Sequence, residues 1–251
     1  MTQQVEPGPT ARLGRAVGTN GAVAGVVLVL PPGEPESARG PSALAHTSVR
    51  ALTRELAGAG AAEGLVAHVV RYRGRGWNGD AARLAADAEW AVAEVVRKYG
   101  DVPVCLAGVG MGGRAALRAA GAGAVNSVVA LAPWLPDGAD GTQGADAEPV
   151  RQLAGRRVLI VHGTNDERAA PELSFRLAAR AKKSNREVCR FEVHSDGHGM
   201  RQHRAEVRAL STDFVLGSLF GRPYARPLAD ALAAPPPLGL RMPLSTGFGR
   251  G

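Results

Sequence analysis

Apolar and polar positions follow two periods along this chain, and together they predict strands and helices in turn. Residues 22–30, A-V-A-G-V-V-L-V-L, are a near-continuous apolar run. That is the pattern of a strand covered on both faces, and Pro31, Pro32 and Gly33 stop it. Residues 42–57 carry Leu44, Val49, Leu52 and Leu56 at roughly helical spacing, with Gly58 and Gly60 at the end. Residues 65–70 predict a second strand, leading into the basic turn R-Y-R-G-R-G-W-N-G. Asp80 is expected to cap a helix whose face is Leu84, Ala88, Val92, Val95 and Tyr99, closed by Gly100. In residues 104–116 an apolar run predicts a strand that ends in a glycine cluster and passes at once into an Ala-rich helix ending about residue 120. Further strands are predicted at 127–131 and 158–162, and an amphipathic helix at 171–183. In 187–194 the apolar Cys189, Phe191 and Val193 alternate with Arg190 and Glu192, which predicts a last strand with one wetter face. Residues 200–220 predict the closing helix, and 137–148 are polar, Gly/Asp-rich and too short for a helical lid.

About six strands alternating with helices imply an α/β fold: three α/β/α layers around a mostly parallel sheet. A chain of 251 residues fits one such domain. Residues 1–20 are expected to be a flexible N-terminal segment without the apolar core of a signal peptide, and 21–220 the domain. The Pro-rich tail, 221–251, is expected to be disordered or draped on the surface. No uncharged apolar run reaches the length of a membrane span, so no membrane partner is expected. Cys105 and Cys189 both lie in strand-like runs and are read as buried reduced thiols of a cytoplasmic protein. The net charge of +7 raises nucleic acid as a partner. No recognition motif accompanies it, and arginine serves throughout as the solubilising residue, so no nucleic-acid binding is expected. Nothing in the pattern calls for a cofactor or a metal, and nothing sets an oligomeric state.

Sites in such sheets gather at the carboxyl ends of the strands, and three residues fall there: Gly110, Asp166 and His198. The stretch around the first, V-C-L-A-G-V-G-M-G-G-R-A-A over residues 104–116, is a strand, a glycine cluster and a helix start. Gly108, Gly112 and Gly113 suit a turn where the helix passes close to the strand. The shape is that of a nucleophile elbow, G-x-S-x-G, with Gly110 where the serine would stand.

Five segments, in order over about residues 22–215, extend the likeness: V-V-L-V-L; R-Y-R-G-R-G-W-N-G; L-A-G-V-G-M-G-G-R-A-A-L; V-V-A-L-A-P-W-L-P-D-G; and V-L-I-V-H-G-T-N-D followed by H-S-D-G-H-G-M. The chain resembles the α/β hydrolases, in particular the small lidless ones common in actinobacteria. The resemblance implies an esterase or acyl hydrolase with Asp166 at the acid position and His198 at the general-base position. His162 is then a structural residue, and His194 and His203 lie on the surface. An oxyanion hole in this family takes one amide from the loop after the first strand and one from the residue after the nucleophile, here Met111, backed by Gly112.

Two departures bear on the chemistry. Gly110 has no nucleophilic atom, and neither the thiol of Cys105, back inside the strand, nor the thioether of Met111 replaces it. Pro31-Pro32 stands where the family usually has His-Gly, and proline has no N–H to donate, which leaves Gly33 or Glu34 as the loop donor. Three functions follow. One is a non-hydrolytic member, a pseudo-enzyme that binds a small ligand or ester-like molecule in the old pocket. The second is an enzyme using His198–Asp166 as a general base in the space that Gly110 vacates. The third is an interaction protein acting through its surface and tail.

Overall fold

The fold is that of a computed structural model, which describes residues 10–137 and 148–249. The expectation for the segment 137–148 therefore falls almost wholly outside the described residues. Two short strands, β1 (Arg12–Leu13) and β2 (Val17–Gly18), come first. Six longer ones follow: β3 (Gly25–Leu30), β4 (Leu65–Arg71), β5 (Val104–Val109), β6 (Val125–Leu131), β7 (Arg157–Gly163) and β8 (Val188–Val193). A short β9 (Met242–Pro243) closes the sheet in the order β1-β4-β3-β5-β6-β7-β8-β9, with β2 also paired to β4. The six long strands and β9 run parallel, while β1 and β2 are antiparallel to β4.

Strand periodicity divides the core between two faces. From β3, Val26, Leu28 and Leu30 pack with α3 (Arg83–Tyr99), α4 (Met111–Arg118) and α5 (Pro171–Ser184). Val27 and Val29 point the other way, to α2 (Arg50–Ala59), α6 (Arg204–Phe220) and α7 (Arg226–Ala233). The continuous apolar runs are thus the signature of strands buried on both sides. Among the described residues no helix is long and apolar enough to cross a membrane.

The order β4-β3-β5 places a switch point beside β3: the chain leaves it for β4 on one side and returns to β5 on the other. The loops after β3 and β5 therefore part, and a crevice opens at their carboxyl ends.

Several local expectations differ from the structure. The helix expected over 42–57 is two: α1 (Ala43–Ser48), capped by the Ser42 side chain accepting from the Ala45 amide at 3.2 Å, and α2 beyond Val49. Because α1 buries none of its residues, Leu44 is not on a core face but 84% exposed. Asp80 does not cap α3; it sits in a single 3-10 turn (Gly79–Ala81), and left-handed Ala82 precedes the helix with no side-chain cap. The expected wet face of β8 is only half so: Glu192 is half-buried, but Arg190 is fully buried. Partners from several elements let its guanidinium be buried: Ser174 Oγ, Pro171 O and Glu192, and from the tail Leu240 O. Residues of the Pro-rich segment form α7 and β9, and Leu228, Ala231 and Leu240 are buried against β8 and its neighbours. Arg190 Nη1 donates to Leu240 O at 3.0 Å, and Lys182 Nζ donates to Ala231 O at 3.2 Å and Val188 O at 2.6 Å.

Candidate functional site

The centre of the crevice is the turn from β5 into α4. Gly110 holds it at φ 56° and ψ −119°, in the left-handed half of the map where only glycine is unstrained. Its amide donates to Leu131 O at 2.9 Å, and its carbonyl accepts from Trp134 N at 3.1 Å. The neighbouring glycines are there for space. A β carbon on Gly108 would stand 2.0 Å from Gly112 O, and one on Gly112 2.3 Å from Leu30 O. Gly110 differs: the nearest atoms a β carbon there would meet are His198 Nε2 at 3.5 Å, Pro32 Cβ at 3.7 Å and His198 Cε1 at 3.8 Å. The elbow has room for a side chain where it carries none. Behind it, Arg114 of α4 stacks 4.0 Å from the Trp77 ring and donates to Glu148 at 2.9 Å, which fixes the helix against the basic turn.

Asp166 and His198 come together on the next loops of the same sheet edge. His198 Nδ1 donates to Asp166 Oδ2 at 2.8 Å. A carboxylate only accepts, so the proton sits on Nδ1 and the neutral ring leaves Nε2 as an acceptor, turned toward Gly110. Among the described residues Nε2 has no hydrogen-bond partner. The Asp166 side chain is fully buried. Its Oδ1 accepts from the Arg168 and Ala169 amides at 2.9 and 3.0 Å, and its Oδ2 also accepts from His162 Nε2 at 3.2 Å. Burial pushes this carboxyl upward, but the bonds from His162, Ala169, His198 and Arg168 outweigh it and hold it well below the usual range.

The acid loop and the histidine loop are laced together. Gly163, the last residue of β7, lets them meet: a β carbon there would stand 2.4 Å from Asp196 O. Asn165 N donates to Asp196 O at 3.0 Å, and Ser195 N to Thr164 Oγ1 at 3.1 Å. Asp196 gathers the loop beyond, accepting from the amides of Gly197, Arg201 and Gln202 at 3.0, 3.1 and 2.9 Å. Positive φ at Ser195 (58°) and Met200 (41°) brackets His198 in strained backbone.

Sequence reasoning passes over one of these residues. Asp196 looks like an ordinary turn aspartate in S-D-G-H, and its side-chain-to-backbone bonding is the only clue such a residue offers. His162, expected to be structural, is buried and stands directly on Asp166 while its Nδ1 pairs with Ser174 Oγ at 2.9 Å. His194 is exposed, whereas His203 is half-buried and lies 3.3 Å from Asp196.

The amides near Gly110 are unevenly occupied. Met111, first residue of α4, has a free N–H, as helix starts do. Pro31 and Pro32 have none, and the Glu34 amide is committed to Arg75 O at 2.7 Å. The Gly33 amide has no hydrogen-bond partner among the described residues, and it stands beside Met111, whose Cβ would lie 3.6 Å from a β carbon on Gly33. Neither thiol is near: Cys105 and Cys189 are unpaired and buried, and burial pushes each up to about 12. Among the described residues no three His, Cys, Asp or Glu side chains stand together as a metal site.

This is the architecture of the α/β hydrolases, and solved structures share it. A putative α/β hydrolase from Agrobacterium tumefaciens superposes with a TM-score of 0.61 at 18% identity, over 87% of this chain and 97% of its own. An esterase from Pyrococcus furiosus gives 0.58 at 14% identity, over 78% and 82%. An α/β serine hydrolase homologue from Coxiella burnetii gives 0.57 at 15%, over 84% and 100%. At these identities the likeness is one of fold. The model of the prolyl oligopeptidase family matches residues 137–217, about a third of the chain, and this part includes Asp166 and His198. No curated protein matches the sequence.

Proposed function

We propose that this chain is a hydrolase-fold protein that has left serine acyl-transfer chemistry and keeps the crevice as a binding site for a small ligand. One observation carries the reading: the elbow has the backbone and the room for a nucleophile, 3.5 Å from His198 Nε2, and holds Gly110. No hydroxyl or thiol among the described residues bonds to that nitrogen. The loss of loop donors at Pro31-Pro32 supports it independently, because both departures touch acyl transfer. The two buried, unpaired thiols suit a reducing, cytoplasmic setting. The test is the unmodified protein with a fluorophosphonate probe and with short p-nitrophenyl esters. It should neither label nor turn esters over faster than His198→Ala, the comparison that removes the background rate such a site retains. Covalent labelling of the unmodified chain at any residue lining the crevice would refute the reading.

A second reading has its own support in the paired Asp166 and His198. With Nε2 open toward the vacated space, the imidazole takes a proton from water as the water oxygen attacks an ester carbonyl. It then returns that proton to the departing alkoxide, with Asp166 stabilising the imidazolium between the two steps. His198-dependent turnover without probe labelling is its signature. An interaction role for the tail has less behind it, since Leu228, Ala231 and Leu240 are already buried.

A further inference from the structure

Next to the space over Gly110 lies a cavity of about 330 Å³ between the β3 and β4 loops and α1. Pro32 borders both: it lines the cavity, and its Cβ would stand 3.7 Å from a β carbon on Gly110. Arg50, Arg71 and Arg75 line this cavity, and no aspartate or glutamate does. Arg75 is committed, donating to Gly40 O at 3.0 Å and pairing with Glu34 at 3.4 Å. The side chains of Arg50 and Arg71 have no hydrogen-bond or ion-pair partner among the described residues. On the far flank, His198 shares an open depression with Arg168 and Arg201, again without an acidic side chain.

Unpaired arginines occur elsewhere on this surface; what sets these apart is the concavity they share. A low-dielectric recess lined by one sign of charge focuses its field and concentrates counter-ions. His46, on the cavity wall, feels that field: burial first, then Arg71 and Arg50, lower its pKa, so the ring is neutral at pH 7 and can itself donate or accept a hydrogen bond. Two guanidinium groups suit carboxylate and phosphate oxygens, which they bind in a planar, two-pronged way that no neutral group reproduces.

We propose that the ligand of this site is a small organic anion, a carboxylate or a phosphate monoester, with its charged group against Arg50 and Arg71 and its other end over Gly110. The proposal rests on the binding-site reading above and adds the ligand's charge and direction.

The test is calorimetry of the full chain with matched probes: monoethyl adipate against diethyl adipate, and phenyl phosphate against inorganic phosphate. Each is run on the unmodified protein, on Arg50→Gln/Arg71→Gln and on Arg226→Gln, an exposed control outside the cavity. Both cavity arginines are exposed, and melting curves check that the double variant folds; Arg50→Gln alone serves if it does not. Monoethyl adipate should bind the unmodified protein at least about tenfold more tightly than the diester. That preference should fall to about twofold or less in the double variant and persist in Arg226→Gln. Equal affinity for the two adipates, no binding of either organic anion, or a preference that survives Arg50→Gln/Arg71→Gln would overturn the proposal. Inorganic phosphate binding as tightly as phenyl phosphate would overturn the organic assignment, leaving a bare anion site. Should the unmodified protein hydrolyse the adipates, the non-hydrolytic reading fails separately, and the charge preference is then read from the ratio of KM values.

Discussion

Replacing Gly110 with serine asks whether the surroundings of the elbow still suit the chemistry it lacks. Space is no obstacle, because every contact of the new β carbon is at 3.5 Å or beyond. The cost lies in the backbone, since a side chain must be carried at φ 56° and ψ −119°. Such positions cost about 1–3 kcal/mol, which in a domain of this size lowers the melting temperature by about 2–4 °C per kcal/mol. The hydroxyl, one bond beyond the β carbon, comes within hydrogen-bond reach of His198 Nε2, whose other nitrogen is already held on Asp166 at 2.8 Å. Oxyanion stabilisation would draw on Met111 N–H and, from the loop after β3, on Gly33 N–H alone, since Pro31 and Pro32 donate nothing and Glu34 N–H is spent on Arg75 O. One missing donor costs about a hundred- to a thousandfold in rate. Gly110→Ser should therefore label with fluorophosphonate, measured by intact mass, long before it turns esters over efficiently. The comparison is Gly110→Ser/His198→Ala. Gly110→Ala serves as the strain control, with the same loss of melting temperature and no labelling. A folded Gly110→Ser that labels no faster than the double variant would refute the claim that Asp166–His198 is poised on this position.

Gly112→Ala should be far worse than Gly110→Ala, because its β carbon would fall 2.3 Å from the Leu30 carbonyl; denaturant unfolding should show a loss of about 3 kcal/mol or more, or no soluble protein. Arg190→Ala should cost about 3–5 kcal/mol by the same measurement, since Glu192 and Leu240 O lose a buried cationic partner, and it should expose the segment around α7 and β9 to limited proteolysis; unchanged protection would mean the tail does not depend on that anchor. Acid should weaken the fold through Asp166 and Asp196: burial raises both carboxyls, but hydrogen bonds outweigh it and depress them below 3.8. Their stabilisation is then complete above the unfolded-state value and is lost as pH falls through the lower folded-state one. Urea stability should drop below about pH 4, less steeply in Asp166→Asn, and an identical slope in that variant would refute the assignment.

Local physics made much of this protein legible from its residues alone. Apolar runs such as 104–109 mark strands buried on both faces, and the glycines at 108 and 112 stand where backbone passes within contact of backbone. The first is a statement about neighbours in the chain and the second a recognisable strand-turn-helix signature, so the succession of strands along the chain, the elbow and the placement of Asp166 and His198 after strands could be read directly. Other features needed the third dimension. Whether Arg190 faces water depends on partners up to fifty positions away, at Pro171, Ser174 and Leu240, and the alternating pattern of β8 contains no trace of them. Leu44 keeps helical spacing with Leu52 and Leu56, yet the chain turns at Val49 and leaves it outside. Asp196 acquires its place only when the loops after β7 and β8 meet across Gly163. The positive cavity is the clearest case. Arg50 ends up beside Arg71 because parallel pairing of β3 with β4 brings the start of α2 next to the end of β4. Periodicity records which side of its own element a residue occupies. It does not record which element lies opposite, and charge, burial and partners are all set there.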